Sequence, residues 1–245
     1  GDMFQCVLSQ RFSAEYSGRP LDYYRNLRVT NPSNYLYFYD FGDYQIIGAS
    51  PESLVSVKQG QVTTNPIAGT RPRGKDERED KALAEELLAD EKEVAEHRML
   101  VDLGRNDIGK IAQNNSVEVT KYMEVEYFRY VMHLTSVVRG QLLPQLTAMD
   151  ALKSTLPAGT VSGAPKIRAM KRIYELEQEK RGVYAGAIGY LSATGDMDFA
   201  IAIRTMILKN GRAYVQAGAG IVYDSIPANE YQETINKAKS MTKIG

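Results

Sequence analysis

The stretch "VYAGAIGYLSATGDMDFAIAIRTMILKNGRAYVQAGAGIVY", residues 183–223, decides the fold class. Apolar and β-branched residues dominate it, and two short turn signals, Thr194-Gly195 and Asn210-Gly211, interrupt it. Runs of this kind between turn residues predict β-strands, and Asn-Gly is the strongest short signal for a tight hairpin. We therefore predict three consecutive antiparallel strands here.

The turn at Asn210-Gly211 also predicts a register. A two-residue loop places Arg204 opposite Ala217 in the middle of a buried apolar strand, and the earlier turn brings the strand carrying Tyr184 alongside Arg204. A buried guanidinium requires a partner, which is either the carboxylate of a substrate or an internal acid. The glycines of "AGAGI", residues 217–221, either admit a ligand close to the backbone or bend the sheet.

The remaining sequence alternates helical and strand-like segments. Aromatic and β-branched residues at 34–50 predict strands around Gly42-Asp43, and a further hairpin is predicted at Gln59-Gly60. Apolar spacing, prolines and glycines predict helices at residues 19–29, 76–103 and 163–182 and after Pro227. Strands in consecutive runs with helices between them predict an α+β fold with mostly antiparallel sheet.

The overall composition excludes several classes of protein. The chain has 245 residues with 30 basic and 30 acidic side chains, so no charge excess favours nucleic acid or an anionic membrane as a partner. A single cysteine, Cys6, excludes an internal disulfide framework and favours a reducing compartment. No apolar run is long enough to span a bilayer, and no signal peptide is visible. Because the chain opens directly on a strand-like run, we expect a domain from a longer protein.

Two glutamate pairs form the first candidate site. Glu93 and Glu96 are three residues apart on one predicted helix, and Glu230 and Glu233 are three apart on another. Residues i and i+3 share a helix face, so two such helices facing each other would present four carboxylates to a hard cation such as Mg²⁺. The alternative is ordinary solvated surface, with Glu233 and Lys237 as an i,i+4 ion pair.

Other polar positions leave their alternatives open. His133 lies in an apolar run and is either a satisfied core residue or a functional group. The loops "PIAGTRPRG" (66–74) and "PAGTVSGAPK" (157–166) could each hold an anion, the second at a helix start. Neither matches a common nucleotide-binding pattern, and no G-x-S-x-G motif or Cys/His metal cluster occurs in the sequence. For Cys6 the simplest interpretation is a small core residue.

Eight motifs occur in order along nearly the whole chain: "FQCVLSQRF", "GASPESL", "PIAGTRPRG", "DEKEVAEHRMLVDLGRND", "LPAGTVSGAPK", "GAIGYL", "AIRTMIL" and "AGAGIVYDSIPANEYQET". Together they resemble the chorismate-utilising enzymes, and within that family most closely component I of the anthranilate synthases. The resemblance implies that residues 1–245 form the C-terminal chorismate-binding catalytic domain, without the family's N-terminal regulatory portion. It also implies an α+β fold whose antiparallel sheets pack as a sandwich with helices outside.

The resemblance implies roles for individual residues. Glu96 and Glu233 resemble the ligands of a Mg²⁺ cofactor that holds the ring carboxylate of chorismate, with Glu93 and Glu230 as their companions. Glu52 matches the acid that helps the 4-hydroxyl leave, and His133 matches the histidine implicated in pyruvate loss. The implied substrate-binding residues are Tyr184 and Arg204 on the enolpyruvyl carboxylate, Lys237 near the ring carboxylate, the backbone of Gly218, Ala219 and Gly220, and Gly69, Thr70 and Thr160 around the ring.

Two positions discriminate within the family. Isochorismate and salicylate synthases carry a lysine where this chain has Gln5, and an amide cannot activate water as a general base. Aminodeoxychorismate synthases commonly carry a nucleophilic lysine where this chain has Ala68. Both differences favour direct attack by ammonia, with anthranilate and pyruvate as products. Arg71 and Arg73 match no role and are interpreted as solvated surface or a loop salt bridge.

The resemblance therefore predicts a cytoplasmic, Mg²⁺-dependent lyase of tryptophan biosynthesis. Its implied partner is a glutamine amidotransferase subunit that supplies ammonia, and neither nucleic acid nor membrane is expected as a partner. The alternatives are component I of an aminodeoxychorismate synthase, which Ala68 disfavours, and a chorismate-binding module that is inactive as a fragment.

Overall fold

A computed structural model describes residues 2–242 of the chain. It divides into two compact units. The first unit comprises Gly1–Ser53, Pro157–Ile188 and Ala200–Gly245, and the second comprises Leu54–Leu156 and Gly189–Phe199. Helices and antiparallel strands occur in both, which confirms the predicted α+β class.

Six helices lie within residues 2–242, and no helix there is both long and apolar enough to cross a membrane. They are α1 (Pro20–Thr30), α2 (Glu77–Ala89), α3 (Glu91–Gly109), α4 (Ala148–Thr155), α5 (Lys166–Leu176) and α6 (Pro227–Thr242), together with a short 3-10 turn at Gly159–Val161.

The strands form two sheets. The first unit contains a six-stranded sheet in the order β2-β3-β12-β13-β1-β9, and the second contains a seven-stranded sheet in the order β10-β11-β4-β5-β8-β6, with β7 also paired to β8. The strands are β1 (Gln5–Glu15), β2 (Tyr35–Asp40), β3 (Tyr44–Ser50), β4 (Ser53–Lys58), β5 (Gln61–Thr64), β6 (Ile67–Pro72), β7 (Glu118–Tyr127), β8 (Val131–Gln141), β9 (Gly163–Ala164), β10 (Ala187–Leu191), β11 (Met197–Ile201), β12 (Thr205–Lys209) and β13 (Arg212–Ile221).

The hairpin predicted at Asn210-Gly211 is confirmed. Met206 lies opposite Val215 and Ile207 opposite Tyr214, which is the predicted register. Both turn residues have positive φ, 51° for Asn210 and 71° for Gly211. Two left-handed residues in succession characterise the tight turn that matches strand twist, which explains why Asn-Gly was informative.

The number of strands in this region was predicted wrongly. Residues 183–223 contain four strands, and the chain leaves the second sheet after Ile201 and enters the first at Thr205. Arg204 lies in the break with a left-handed φ of 49°, half-buried, and not in the middle of a buried strand. Tyr184 lies in a turn before β10, so it also is not on a strand. The uniformly apolar run hides this change of sheet, because periodicity alone does not show where a chain leaves a ladder.

Two helix boundaries also differ from the prediction. Residues 76–103 hold two helices, because Asp90 ends α2 and its side chain accepts hydrogen bonds from the backbone N–H groups of Lys92 and Glu93 at the start of α3. The predicted helix at 163–182 is shorter, since Gly163 and Ala164 pair with β1 as strand β9 and α5 begins at Lys166.

The first unit is held together by a core between its sheet and two helices. Tyr23 and Leu27 from α1 and Met241 from α6 pack with Ile47, Val215 and other residues of one sheet face. Burial of this apolar area places the inner face of α6 against β13. Cys6 is buried as a free thiol, in agreement with the prediction of a small core residue.

Candidate active site

The predicted site residues divide between the two units, and each unit brings its own members together. The second unit contains Gly69, Thr70, Glu93, Glu96 and His133. The first contains Gln5, Glu52, Thr160, Tyr184, Arg204, Gly218, Ala219, Gly220, Glu230, Glu233 and Lys237.

In the second unit, the paired strands β6 and β8 join Gly69, Thr70 and His133. The imidazole Nδ1 of His133 lies 2.9 Å from the carbonyl oxygen of Gly69 and 3.1 Å from Oγ1 of Thr70. Gly69 has a left-handed φ of 69°, at an irregularity where the register shifts between Ala68 and Thr70. His133 is half-buried and hydrogen-bonded to this bulge, so it is not a fully enclosed core residue.

Helix α3 carries the first glutamate pair beside that bulge. A Cβ at Gly69 would lie 3.3 Å from Oε2 of Glu93, so Glu93 approaches the loop backbone closely. Burial raises the pKa of Glu93 above its ordinary value, and the charge of Glu96 raises it further. The two carboxylates therefore share a helix face and repel each other there, as the i,i+3 spacing predicted.

Arg71 has a structural role in the same unit. Its Nε and NH2 donate to Oε1 of Glu86 and Oδ2 of Asp90, both at 2.8 Å, and its NH1 lies 3.8 Å from Oε1 of Glu93. Arg73 binds Asp80 through Nε and NH2. For both arginines the salt-bridge interpretation is confirmed, and the loop "PIAGTRPRG" is pinned to the acidic helices.

In the first unit, Arg204 is anchored to the C-terminal turns of α6. Its NH1 donates to the carbonyl oxygen of Lys237 at 2.9 Å and to Oγ of Ser240 at 3.3 Å. Burial lowers the pKa of Arg204, while the nearby Tyr184 and Glu233 side chains oppose that change. The structure thus brings Arg204 and Tyr184 together, as predicted, although through a turn and a strand break.

Lys237 links α6 to the glycine-rich strand. Its Nζ donates to the carbonyl oxygen of Gly218 at 3.0 Å and forms an ion pair with Glu233 one turn earlier. Glu230 lies in the first turn of the same helix. Within residues 2–242, no three His, Cys, Asp or Glu side chains form a cluster that could hold a metal ion by themselves, and the four-glutamate Mg²⁺ site stays a prediction.

Glu52 has the most strongly perturbed carboxyl group of the predicted set. Burial raises its pKa to about 7, and the Thr160 hydroxyl and the Lys237 ammonium oppose that rise. A carboxyl with such a pKa is about half protonated at neutral pH and can donate a proton.

Two glycines of strand β13 let neighbouring side chains approach the backbone closely. Gly218, Ala219 and Gly220 lie opposite Ser9, Leu8 and Val7 of β1. A Cβ at Gly218 would lie 2.6 Å from the hydroxyl oxygen of Tyr184, so only glycine leaves room for that ring. A Cβ at Gly220 would collide with the side chain of Gln5, which is buried and held beside this strand.

A family model described as "chorismate binding enzyme" matches residues 1–243 of this chain. The chain belongs to the chorismate-binding enzyme family. Among solved structures of this family, the chain is 84% identical to anthranilate synthase component I from Streptococcus pneumoniae TIGR4, with a TM-score of 0.92, covering 98% of this chain and 53% of that one. The menaquinone-specific isochorismate synthase MenF from Escherichia coli has a TM-score of 0.89 at 27% identity, over 100% of this chain and 56% of that one.

Curated relatives agree with this placement. The chain is 64% identical over 245 residues to anthranilate synthase component 1 of Lactococcus lactis subsp. lactis (strain IL1403), and 58% identical over 241 residues to the protein of the same name in Pseudomonas aeruginosa PAO1. These two matches include 100% and 98% of this chain, but only 54% and 49% of the respective relatives. This member of the chorismate-binding enzyme family thus spans about half the length of the relatives it matches, and the predicted fold class is confirmed.

The sequence did not indicate a pair of residues that borders the predicted site, where Arg181 contacts the ring of Tyr184. Glu177 and Arg181, on the segment after α5, form an ion pair whose side chains are only 9% and 16% exposed. A helix-ending acid four residues before an arginine resembles a surface pair, and no sequence signal showed that both are partly buried.

Proposed function

We propose that the full-length protein containing this chain converts chorismate and ammonia into anthranilate and pyruvate. The names of its relatives support this reaction, and the observation that carries it is the 2.9 Å contact of His133 Nδ1 with the Gly69 carbonyl oxygen, which leaves Nε2 as a base. Loss of a ring hydroxyl requires a proton donor, and desolvation of the Glu52 carboxyl, which raises its pKa to about 7, suits it to that role.

Arg204 and Tyr184 suit the binding of a carboxylate. NH1 of Arg204 is occupied by α6, and no ion pair links the guanidinium to an acid of residues 2–242. A half-buried guanidinium that forms no ion pair within the protein favours an anionic ligand. The enolpyruvyl carboxylate of chorismate is such a group. The backbone of Gly218 and its neighbours adds a close-approach surface beside Tyr184.

The first chemical step is the attack of ammonia at C2 of the ring. The new C–N bond forms as the double bonds shift and the C4–O bond breaks, and the hydroxyl leaves as water with the proton of Glu52. Neither Ala68 nor Gln5 offers a nucleophile or a base for a competing route through an enzyme amine or activated water.

The second step is the elimination of pyruvate. Because the Gly69 carbonyl can only accept a hydrogen bond, Nδ1 of His133 carries the proton, which leaves the lone pair of the neutral imidazole on Nε2. Nε2 of His133 is therefore suited to take the C2 proton. The C3–O bond then breaks, the ring becomes aromatic, and the enolpyruvate is protonated to pyruvate.

Mg²⁺ is the cofactor we propose for this enzyme. The paired carboxylates of Glu93 and Glu96, which repel each other on α3, have the hard oxygen donors that Mg²⁺ prefers, as do Glu230 and Glu233 on α6. When bound, the ion would supply positive charge for the ring carboxylate of the substrate.

The proposed partner is a glutamine amidotransferase that supplies ammonia, in keeping with the term "component 1" in the names of the relatives. We also propose a cytoplasmic location, because the one cysteine is a free, buried thiol of the kind that reducing compartments preserve.

The test is a turnover assay of the full-length protein with chorismate, MgCl₂ and an ammonium salt. We expect anthranilate, detected by its fluorescence, with pyruvate in equal amount. A product aminated at the 4-position would instead identify an aminodeoxychorismate synthase, and tight chorismate binding without turnover would identify a binding module.

A further inference from the structure

The ion pair of Glu177 and Arg181 lies at the junction of several segments of the first unit. Arg181 donates to Glu177 from Nε at 2.8 Å and from NH2 at 2.6 Å, which is a two-pronged, planar contact. The same guanidinium donates from NH2 to the carbonyl oxygen of Val7 at 2.7 Å and from NH1 to that of Val161 at 2.6 Å. Arginine alone among the side chains provides this set of fixed donors.

Each contact of this pair leads to a residue of the proposed substrate site. Val161, whose carbonyl Arg181 holds, directly follows Thr160 in the 3-10 turn. Oε1 of Glu177 accepts from both the backbone N–H and the hydroxyl of Ser9, each at 2.8 Å. Ser9 in turn lies opposite Gly218 in the β1–β13 ladder.

Arg181 also contacts Tyr184 directly. Its guanidinium carbon lies 5.4 Å from the centroid of the Tyr184 ring, within cation–π distance. The ring borders a cleft lined by Val183, Ile207 and Tyr214, so the neighbouring sheet does not enclose it on every side. The cation of Arg181 is thus one of the groups that define the plane of this ring.

We propose that the Glu177–Arg181 ion pair is a positioning element, which sets the Tyr184 ring and the Thr160 turn relative to strand β13 so that the substrate carboxylate can be bound. This inference rests on the proposed function. It assigns no contact with substrate to either residue. Its consequence is that a change in the pair should weaken the binding of chorismate more than it slows turnover.

The main test variant is Arg181→Lys in the full-length protein, which keeps the charge but not the planar fork. We expect the KM for chorismate to rise about tenfold and kcat per folded site to change less than about twofold. The chorismate-induced rise in Tm should shrink in parallel. The matched control is Arg172→Lys, because Arg172 lies on α5 and pairs with Glu175 and Asp2 without touching this pair, and it should keep the parental KM.

A double-mutant cycle separates positioning from a general loss of structure. Tyr184→Phe and Arg181→Lys act on one element, so their combined effect on KM should be clearly smaller than the product of the single effects. Independent, multiplicative effects would overturn the inference, as would a lowered Tm with an unchanged KM. If Arg181→Lys does not fold, Glu177→Gln, which keeps the size and one acceptor oxygen, serves with the same expectations.

The inference and the proposed function fail in different ways. If the unmodified protein makes no anthranilate, the proposed reaction is wrong, and the chorismate-induced Tm shift still tests the ion pair. If the unmodified protein is active and the Arg181→Lys variant has the parental KM, only the inference is wrong.

Discussion

His133 donates from Nδ1 to the carbonyl oxygen of Gly69 at 2.9 Å, across the paired strands β6 and β8. A carbonyl has no proton to give, so this contact selects the tautomer and directs the lone pair to Nε2. The bulge at Gly69 thus does more than shape a loop, because it determines which nitrogen of His133 is basic.

Replacement of His133 by alanine should separate the two chemical steps. We expect anthranilate formation to fall between about a hundredfold and ten-thousandfold, the usual contribution of a general base, while chorismate is still consumed and an aminated intermediate accumulates. Chromatography of the reaction over time measures both rates. If chorismate consumption falls as far as anthranilate formation, His133 does not act as the base of the second step.

The pKa of Glu52 predicts a pH dependence. The protonated form is the active one, so kcat/KM for chorismate, at a constant concentration of free ammonia, should fall as pH rises above about 7. Glu52→Gln should lower the rate and remove this limb of the profile. If kcat/KM of the Glu52→Gln variant still falls above about pH 7, another group causes that decrease.

The same group affects stability with a defined sign. Because folding raises the pKa of Glu52 from 4.5 to about 7, the unfolded chain holds fewer protons than the folded chain in this interval. The contribution of Glu52 should therefore decrease the free energy of unfolding as pH rises from 4.5 to 7. Urea unfolding of the parent and the Glu52→Gln variant across this range measures the difference.

Gly69→Ala should destabilise the protein by about 2 kcal/mol, because φ is left-handed and the new Cβ would lie 3.0 Å from Cδ1 of Leu87. Gly195→Ala is the matched control, since Gly195 also has a positive φ of 87° but open space around its Cβ, and it should cost about 1 kcal/mol. Urea unfolding measures both. Equal losses would show that the crowding beside Glu93 has no effect.

Glu96→Gln and Glu233→Gln should each raise the Mg²⁺ concentration for half-maximal activity by about tenfold or more. Glu91→Gln is the control on α3, because Glu91 is exposed at the start of that helix. A Mg²⁺-induced rise in Tm provides a reading that does not depend on turnover. Unchanged Mg²⁺ dependence in Glu233→Gln would remove α6 from the proposed metal site.

Local signals predicted much of the fold. The hairpin at Asn210-Gly211, the pair of strands around Gly42-Asp43 and helix α1 follow from turn chemistry and periodicity, which operate over a few residues. The division of 76–103 into two helices was missed, although Asp90 is a good N-cap residue, because a helix-rich composition continues on both sides of it.

The candidate site was only partly accessible from the sequence. The motifs supplied the identities of Glu52, Arg204 and His133, but not their surroundings. The raised pKa of Glu52 and the bond of His133 to Gly69 depend on segments far apart in the chain, as do the contacts of the Glu177–Arg181 pair with β1.

The sequence by itself determined the family, the α+β class and the register of the hairpin that ends at β13. These depend on residue order and on local backbone preferences, which an unfolded chain already carries. Only the tertiary structure decided the left-handed break at Arg204, the raised pKa of Glu52 and the tautomer of His133. The pKa shift and the tautomer depend on burial and on hydrogen bonds between strands. Both exist only once the chain has folded.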